Sequence, residues 1–460
     1  MAKPKAPVKK NDTITLQFED LTHQGNGVGK VDGYPLFVPF ALPGEEASVR
    51  VVKVNKNFGY GKIEKIHKRS PHRQEPPCHV YEKCGGCQLQ HMSYDMQLEM
   101  KRNQVKNAMI KVAHLPDVPV HETLGMKDPW RYRNNIQIPV GEKDGELITG
   151  FYQKRSHHII DNMKTCVIQD ELNDDAVHIV RDVANSLGIT AYDEKAHTGI
   201  LRHIVARSGK ATGELMIVLI TRTKKLPYAE QLIEGIREKL PNMTSIMHNI
   251  NPQKTNVIYG KDTKVLWGAS YIHDRIEDLT FAISARSFYQ VNPRQTEVLY
   301  NKALEYAQIS KSDIVIDAYC GIGTISLFLA RKAKKVYGIE IVPEAISDAK
   351  KNAKLNNLPN TEFVVGAAEK VMPWWKAQGL DPDVIVVDPP RKGCDEAFLQ
   401  AMIDMEPKRI VYVSCNPSTL ARDLRILEDG GYRTQEVQPV DMFSQTGHVE
   451  AIALIHRKIM

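Results

Sequence analysis

The sequence predicts an α/β protein in three parts: a small N-terminal β-barrel, a central α+β region, and a C-terminal, mostly parallel sheet wrapped by helices. Three observations predict it. From residue 293 onward apolar strands alternate with helices, which builds a parallel sheet covered on both faces. Residues 12–66 hold short alternating segments split by Gly and Pro turns, the texture of a small barrel. Between these parts strand-like runs dominate. A chain of 460 residues suits about three domains of roughly 150 residues each. Its 42% hydrophobic and 25% charged residues place it among globular chains. No run of eighteen apolar residues occurs, so no membrane-spanning helix and no membrane partner are expected.

Residues 1–11 are lysine- and proline-rich and read as a basic disordered tail. They lack the apolar core of a secretory signal, so a cytoplasmic protein is expected. Strands are expected in the barrel at Thr13–Phe18, Leu36–Pro39, Ala47–Val54 and Tyr60–Ile66. A barrel of this size is of the oligonucleotide-binding kind. Between Lys53 and Arg73 seven Lys and Arg face only Glu64. With a net charge of +6, this permits a polyanionic partner. A loop-rich segment, 67–93, carries three cysteines.

The central region spans 94–292. It opens with a helix from Tyr94 to about His114 and contains helices at Ala176–Leu187 and Tyr228–Lys239. Strand-like runs lie at Arg133–Pro139, Leu147–Tyr152, Ile200–Arg207, Glu214–Thr221 and Val257–Tyr259. The last part, 293–460, places strands at Ile314–Asp317, Val336–Glu340, Glu362–Val365, Val384–Asp388, Arg409–Ser414, Thr434–Pro439 and Val449–Ile455. Ligands gather at the carboxyl ends of such strands.

Those ends carry motifs. The first strand runs into Asp317-Ala-Tyr-Cys-Gly321-Ile-Gly323-Thr324, a tight turn opening a helix. The second ends in Gly338-Ile339-Glu340, where a carboxylate can accept from both ribose hydroxyls. The fourth ends in Asp388-Pro389-Pro390. A nicotinamide enzyme would prefer GxGxxG, but Ser326 stands at the third glycine position. The order of the three motifs resembles the Rossmann-like S-adenosylmethionine methyltransferase fold instead. Upstream, the amide of Gln290 in Phe288-Tyr289-Gln290-Val291-Asn292 suits the polar amino-acid end of that cofactor.

The fifth strand ends in Val413-Ser414-Cys415-Asn416-Pro417, which sets the Cys415 thiol at the mouth of the crevice. A methyltransferase needs a thiol when carbon 5 of a pyrimidine is the target. Thiolate addition to carbon 6 pushes electron density onto carbon 5, which then attacks the methyl group. A base must afterwards remove the carbon-5 proton. His448 and Glu450, in Thr446-Gly447-His448-Val449-Glu450, can each serve, and strand alternation would set both on one face.

In this order the motifs DAYCGIGT, GIE, DPPRKG, VSCNP and TGHVE resemble the RNA uracil-5-methyltransferases, in particular the iron–sulfur-containing branch acting on bacterial 23S ribosomal RNA. The likeness covers nearly the whole chain, and its small barrel is similar to a TRAM domain. It implies an S-adenosylmethionine-dependent enzyme, with cofactor contacts at Gln290, Tyr319, Glu340 and Asp388. It also implies Cys415 as nucleophile and Glu450 as base. Ser444 departs from the proline common after Asp-Met-Phe, which predicts a looser loop leading to Glu450. Cys320 and Cys394 read as structural.

Seven cysteines, an odd count, argue against a disulfide framework. Cys78, Cys84 and Cys87 cluster around two glycines, with Cys166 as the best fourth ligand. By chemistry alone zinc and a [4Fe–4S] cluster both remain open, with His72, His79 and His91 as competing zinc ligands. The resemblance selects the cluster, held by Cys78, Cys84, Cys87 and Cys166. Expected RNA contacts are Arg131, Arg133, Asn134, Asn135, Lys154, Arg155, His157, His158, Arg202 and His203, with Phe288 and Tyr289 stacking on splayed bases. A monomer is expected. Transfer RNA as substrate, cytosine carbon-5 methylation and a non-catalytic RNA-binding assembly factor are the other functional readings.

Overall fold

The computed structural model describes residues 6–161 and 163–458. At the N-terminus β1 (Thr13–Gln17), β2 (Asp20–Leu21), β3 (Gly27–Val31), β4 (Tyr34–Val38), β5 (Glu46–Val54) and β6 (Gly59–Lys68) run in the order β1-β5-β6-β4-β3-β2. Gly29 lets β3 close on β1, since a Cβ there would stand 2.5 Å from the Gln17 carbonyl oxygen. Leu36, Val38, Val49 and Val51 are buried inside. Residues 6–11 correct the expectation of a disordered tail. Val8 is buried against the barrel core, and the Asn11 amide donates to the Val51 carbonyl at 2.8 Å. One apolar residue within the lysine run is enough to dock it. Residues 1–5, the rest of that predicted tail, lie outside the described residues.

A helix α1 (Tyr94–Ala108), with a π-helical extension at Met109–Ala113, follows the cysteine segment. The central sheet then contains β7 (Asn135–Lys143), β8 (Glu146–Thr149), β9 (Leu201–Ser208), β10 (Leu215–Thr221), β11 (Met243–Ile250) and β12 (Asp262–Gly268), ordered β12-β11-β10-β9-β7-β8. Helices α2 (Glu171–Ser186) and α3 (Ala229–Lys239) cover one face. Strand β10 shows why the region holds together. Leu215, Ile217 and Leu219 pack beneath these helices. Met216, Val218 and Ile220 point the other way. There they join a hairpin, β13 (Tyr271–Ile276) and β14 (Leu279–Ser284), and helix α4 (Pro293–Ala307). Val257–Tyr259, expected as a strand, is a loop. Asn251 Nδ2 holds its carbonyls, at 2.7 Å to Val257 and 3.1 Å to Ile258.

The C-terminal part is the predicted doubly covered sheet. Its elements are β15 (Ile314–Ala318), α5 (Thr324–Ala330), β16 (Lys335–Glu340), α6 (Pro343–Leu355), β17 (Thr361–Val365), α7 (Ala368–Ala377) and β18 (Val384–Val387). Then come α8 (Glu396–Met405), β19 (Arg409–Ser414), α9 (Pro417–Asp429), β20 (Tyr432–Val440) and β21 (Glu450–Arg457). The strand order is β17-β16-β15-β18-β19-β21-β20, and β21 runs antiparallel to both neighbours. Val384 and Val386 face α4–α6; Ile385 and Val387 face α7–α9. Among the described residues no helix is long and apolar enough to cross a membrane.

The start of the predicted central region belongs elsewhere. Val105 and Ala108 of α1 share a core with Leu420, Leu424 and Leu427 of α9. Beyond α1, residues 119–124 pair with β20, the Val437 amide donating to the Pro119 carbonyl at 2.9 Å and the Leu124 amide to that of Pro439 at 3.0 Å. Residues 94–124 therefore cover the outer edge of the C-terminal sheet, a row of backbone groups that needs partners. Within α1, Lys101 is fully buried and forms an ion pair with the equally buried Asp441. The Tyr94 and Ser444 hydroxyls each donate to Asp441 Oδ2 at 2.6 Å.

Removing one partner of a buried ion pair strands the other, at a cost of about 3–5 kcal/mol. Lys101→Met is expected to lose that much stability. Chemical denaturation followed by the fluorescence of the four tryptophans should show a lower midpoint, and an unchanged midpoint would contradict the pair's structural weight.

Candidate active site

The crevice forms where β15, β16 and β18 end. Tyr319, Gly321 and Gly323 all have positive φ, at 66°, 53° and 85°, and together make the tight turn into α5. A Cβ on Gly321 would meet nothing within 4 Å, so the turn opens onto free space. Glu340 braces it, its Oε2 accepting from the Gly321 amide at 3.3 Å and its Oε1 from the Val342 amide at 3.0 Å. Tyr319 is half-buried with its ring 5.2 Å from that of Phe398. Gln290 is buried, and its carbonyl accepts from Asn134 Nδ2 at 3.2 Å. Asp317 is fully buried; one carboxyl oxygen accepts from the Ser326 hydroxyl and the other has no partner. Burial, reinforced by the Asp388 charge, pushes the Asp317 carboxyl up to about 7. Burial alone carries Asp388 to about 7.

Cys415 follows the last residue of β19. Its turn is tied to the Asp-Pro-Pro-Arg loop: Asn416 Nδ2 and the Thr419 hydroxyl donate to the Arg391 carbonyl at 3.2 and 3.4 Å. Ser414 pairs with Ala451, which sets Glu450, the first residue of β21, beside the thiol. Glu450 is 4% exposed. Burial and then the Asp388 charge push its carboxyl up to about 8. Burial, with the Glu450 and Asp388 charges, pushes the Cys415 thiol up to about 11, while Arg391 pulls it back down. His448 is exposed and precedes the strand, so alternation does not pair it with Glu450.

Sequence reasoning missed two groups here. Tyr300 sits on the apolar face of α4, where it looks like core. Its hydroxyl lies 3.0 Å from Thr324 Oγ1, and the charges of Asp388, Asp317 and Glu450 all reach it. Arg391 lies inside a quoted motif without an assigned role, yet it lines the cavity with Cys415. Ser444 overturns the expectation of a looser loop. It is buried and bonded to Asp441, and its carbonyl accepts from the Tyr132 hydroxyl at 2.9 Å. The next carbonyl, of Gln445, accepts from the Gln88 and Leu89 amides at 2.9 and 3.0 Å.

A cavity of about 810 Å³ joins this site to the cysteine segment. Cys415, Cys78, Cys84, Cys87 and Cys166 all line it, and none is in a disulfide. Cys87 lies within electrostatic reach of Cys78, Cys84 and Cys166, and burial pushes the Cys87 and Cys166 thiols up to about 12. As they stand, no three His, Cys, Asp or Glu side chains among the described residues are grouped to hold a metal ion. Cys320 and Cys394 are buried, away from this wall. Arg133, Asn135 and Phe288 also line the cavity, and Phe288 is 70% exposed.

Other expected RNA contacts serve the fold. Tyr289 is buried in the core and donates to Asp274, so it cannot stack on a base. Arg202 is buried, donating to the carbonyls of Asn251, Gln253 and Thr255. Arg131 holds the Cys166 carbonyl at 2.8 Å and pairs with Asp174. Asn134 is buried, and His203 is largely so. Lys154 lies over the Phe40 ring at 4.4 Å, whereas Arg155, His157 and His158 are exposed.

Residues 93–458 match the profile of the tRNA (Uracil-5-)-methyltransferase family, and residues 7–63 that of the TRAM domain. An uncharacterized RNA methyltransferase of Oceanobacillus iheyensis is 66% identical over 459 residues, covering 100% of both chains. One from Listeria monocytogenes is 56% identical over 449 residues, covering 98% of each chain. The crystal structure of Pyrococcus abyssi tRNA (uracil-54, C5)-methyltransferase in complex with S-adenosyl-L-homocysteine superposes with a TM-score of 0.76 at 28% identity, covering 96% of this chain and 100% of that one.

The raised Cys415 thiol predicts slow alkylation at neutral pH, with a rate rising about tenfold per pH unit between pH 8 and 10. Glu450→Gln removes a negative charge that holds the thiol up, so the thiolate forms at lower pH and alkylation at pH 9 speeds up. Iodoacetamide pulses with mass mapping of the Cys415 peptide measure both. A flat profile, or a slower variant, would contradict this electrostatic description.

Proposed function

The chain belongs to the tRNA (uracil-5-)-methyltransferase family, and from that premise we propose that it uses Cys415 and Glu450 to methylate carbon 5 of a uridine in 23S ribosomal RNA. It is an S-adenosylmethionine-dependent RNA methyltransferase. One observation carries the covalent mechanism: a thiol at the end of β19 and a buried carboxyl group at the start of β21 stand side by side at the strand ends.

The donor set fits the cofactor: Glu340 braces the turn, Gly321 leaves space, and Asp317 keeps an unpartnered buried oxygen. Gln290, Tyr319, Glu340 and Asp388 are the residues proposed to hold it. S-adenosylmethionine bound there supplies an electrophilic methyl group. Cys415 loses its proton to solvent and adds to carbon 6 of the uracil, and the displaced electron pair makes carbon 5 nucleophilic. Once carbon 5 carries the methyl group, Glu450 takes its proton. The carbon 6–sulfur bond then breaks and the thiolate leaves. Once ionised, a carboxylate whose conjugate acid is raised to about 8 is a stronger base than an ordinary one and suits this proton. Arg391 and exposed Phe288 lie where the RNA would enter.

Cys78, Cys84, Cys87 and Cys166 are proposed to hold a [4Fe–4S] cluster, with zinc as the alternative. Four thiols free of disulfides line one cavity and supply the donors of an all-cysteine site, although their side chains are not drawn together around an ion as they stand. Bound there, the cluster would supply a rigid tie for the segment whose Gln88 and Leu89 amides hold the loop before Glu450. The resemblance that carries this cysteine set is to the ribosomal RNA branch, which supports 23S RNA as substrate. The Pyrococcus abyssi relative acts on transfer RNA, so both RNAs belong in the test.

With 5-fluorouridine-substituted RNA the reaction should stop at a covalent adduct mapped to Cys415, because fluorine cannot leave as a proton. Glu450→Gln should accumulate the adduct on ordinary RNA with at least a hundredfold loss of turnover, the order expected for a missing base (roughly 10²–10⁴). Nucleoside mass spectrometry should find 5-methyluridine in 23S RNA. Methylation of transfer RNA alone, or of cytosine, would refute the substrate assignment, and absence of adduct during active turnover would refute the mechanism.

Protein purified without oxygen should contain about four irons and four sulfides per chain, lost in Cys166→Ala. Stoichiometric zinc without iron would overturn the cluster assignment.

A further inference from the structure

Three carboxyl groups meet on the floor of the cofactor crevice. Asp317 is the penultimate residue of β15, Asp388 follows β18, and Glu450 opens β21. Asp317 and Glu450 are buried and Asp388 is partly so, and among the described residues no cationic side chain is seen to offset any of them. The surrounding elements bring little positive charge. Helix α4 contributes the Tyr300 hydroxyl, α5 the Ser326 hydroxyl, and β16 a further acid, Glu340. Arg391 acts on Cys415 and, with Arg133, on His448. Asp317 keeps an unpartnered buried oxygen. Space opens above Gly321, and the Pyrococcus abyssi relative was solved with S-adenosyl-L-homocysteine bound.

Carboxyl groups crowded in a dry crevice cannot all ionise. Burial and the Asp388 charge hold the Glu450 carboxyl at about 8, so at neutral pH an unfilled crevice keeps it protonated. A protonated acid cannot act as a base. The methyl donor, however, carries a sulfonium cation, and the product of transfer is a neutral thioether.

We propose that Glu450 gives up its proton when the cofactor's sulfonium binds, and takes one from carbon 5 after the sulfonium has become a thioether. This rests on the assignment of Glu450 as the base. The charges balance. Cofactor binding releases one proton to solvent and leaves a carboxylate beside a cation. Methyl transfer removes the cation. The carbon-5 proton then neutralises the carboxylate, restoring the charge state of the unfilled crevice. One proton is released per turnover, as replacing a ring hydrogen by methyl from a sulfonium requires. The base is thus armed only while a methyl donor is present.

The test compares S-adenosylmethionine with S-adenosylhomocysteine on the purified full-length chain, without RNA. Calorimetry in buffers of different ionisation enthalpy counts protons, and titrations from pH 6 to 8 give affinities. The expected result is release of about one proton with S-adenosylmethionine, its affinity rising about tenfold per pH unit below the carboxyl midpoint. S-adenosylhomocysteine should show neither effect. Glu450→Gln should flatten the S-adenosylmethionine profile to that of the ligand's own amino group while keeping its affinity for S-adenosylhomocysteine. Equal proton counts and equal profiles for the two ligands on the native protein would overturn the proposal. So would a full S-adenosylmethionine profile in a variant that still binds S-adenosylhomocysteine. Should the variant bind neither ligand, the native proton counts decide alone. Failure of the base assignment is separable: it appears as normal 5-methyluridine formation by Glu450→Gln, whatever the proton count.

Discussion

The buried ion pair between Lys101 and Asp441 is the constraint on which the site depends. A lysine without water contact is costly unless its charge is met, and Asp441 meets it. The same carboxylate accepts from Tyr94 and Ser444, while Lys101 also donates to the Phe443 carbonyl at 3.1 Å. These contacts anchor residues 441–446 on α1, at the base of the loop that delivers Glu450. The Gln97 amide adds a reciprocal bond to Gln445. An N-terminal helix, remote in sequence, thus fixes where the last strand begins. A hydrophobic pair would pack as well, but it would not hold the loop backbone in one register.

The cavity brings together cysteines that the sequence keeps far apart. Cys87 is followed at once by the residues whose amides hold Gln445, so the cysteine segment and the loop before Glu450 share a hydrogen-bonded seam. Their electrostatic settings differ. Cys87 is surrounded by other thiols, with little charge to favour ionisation. Cys415 faces two acids on one side and Arg391 on the other. When ionised, those acids hold the thiol protonated.

The C-terminal sheet was legible because its strands are short apolar runs bounded by turn motifs, and parallel order makes each motif fall at one edge. That Cys415, Asp388 and Glu340 stand at strand ends was legible for that reason. Residues 94–124 were misplaced because amphipathic periodicity reveals that α1 has a buried face, not which sheet buries it. Val257–Tyr259 looked like a strand from three apolar residues, but Asn251 had claimed their carbonyls. Strands β11 and β12 escaped notice because polar residues interrupt them: His248 and Asn249 are buried and bonded inside β11. Arg202 and Tyr289 misled for a similar reason. Charge and aromaticity are visible in sequence, while a set of backbone carbonyls waiting to receive a guanidinium is not.

Topology explains why Cys415 and Glu450 meet at all. In a wholly parallel sheet the start of a strand lies at the edge opposite its neighbour's end. Strand β21 is inserted between β19 and β20 and runs against both. Its first residue therefore lands at the edge where β15, β18 and β19 finish. A parallel last strand would carry Glu450 to the far side of the sheet, the length of six residues of β19 away. Reversal also keeps Glu450 on a strand rather than a free loop, with Ala451 paired to Ser414 immediately beside it. The distance between thiol and carboxyl is thus set by a ladder of backbone hydrogen bonds, the least adjustable spacing a protein has.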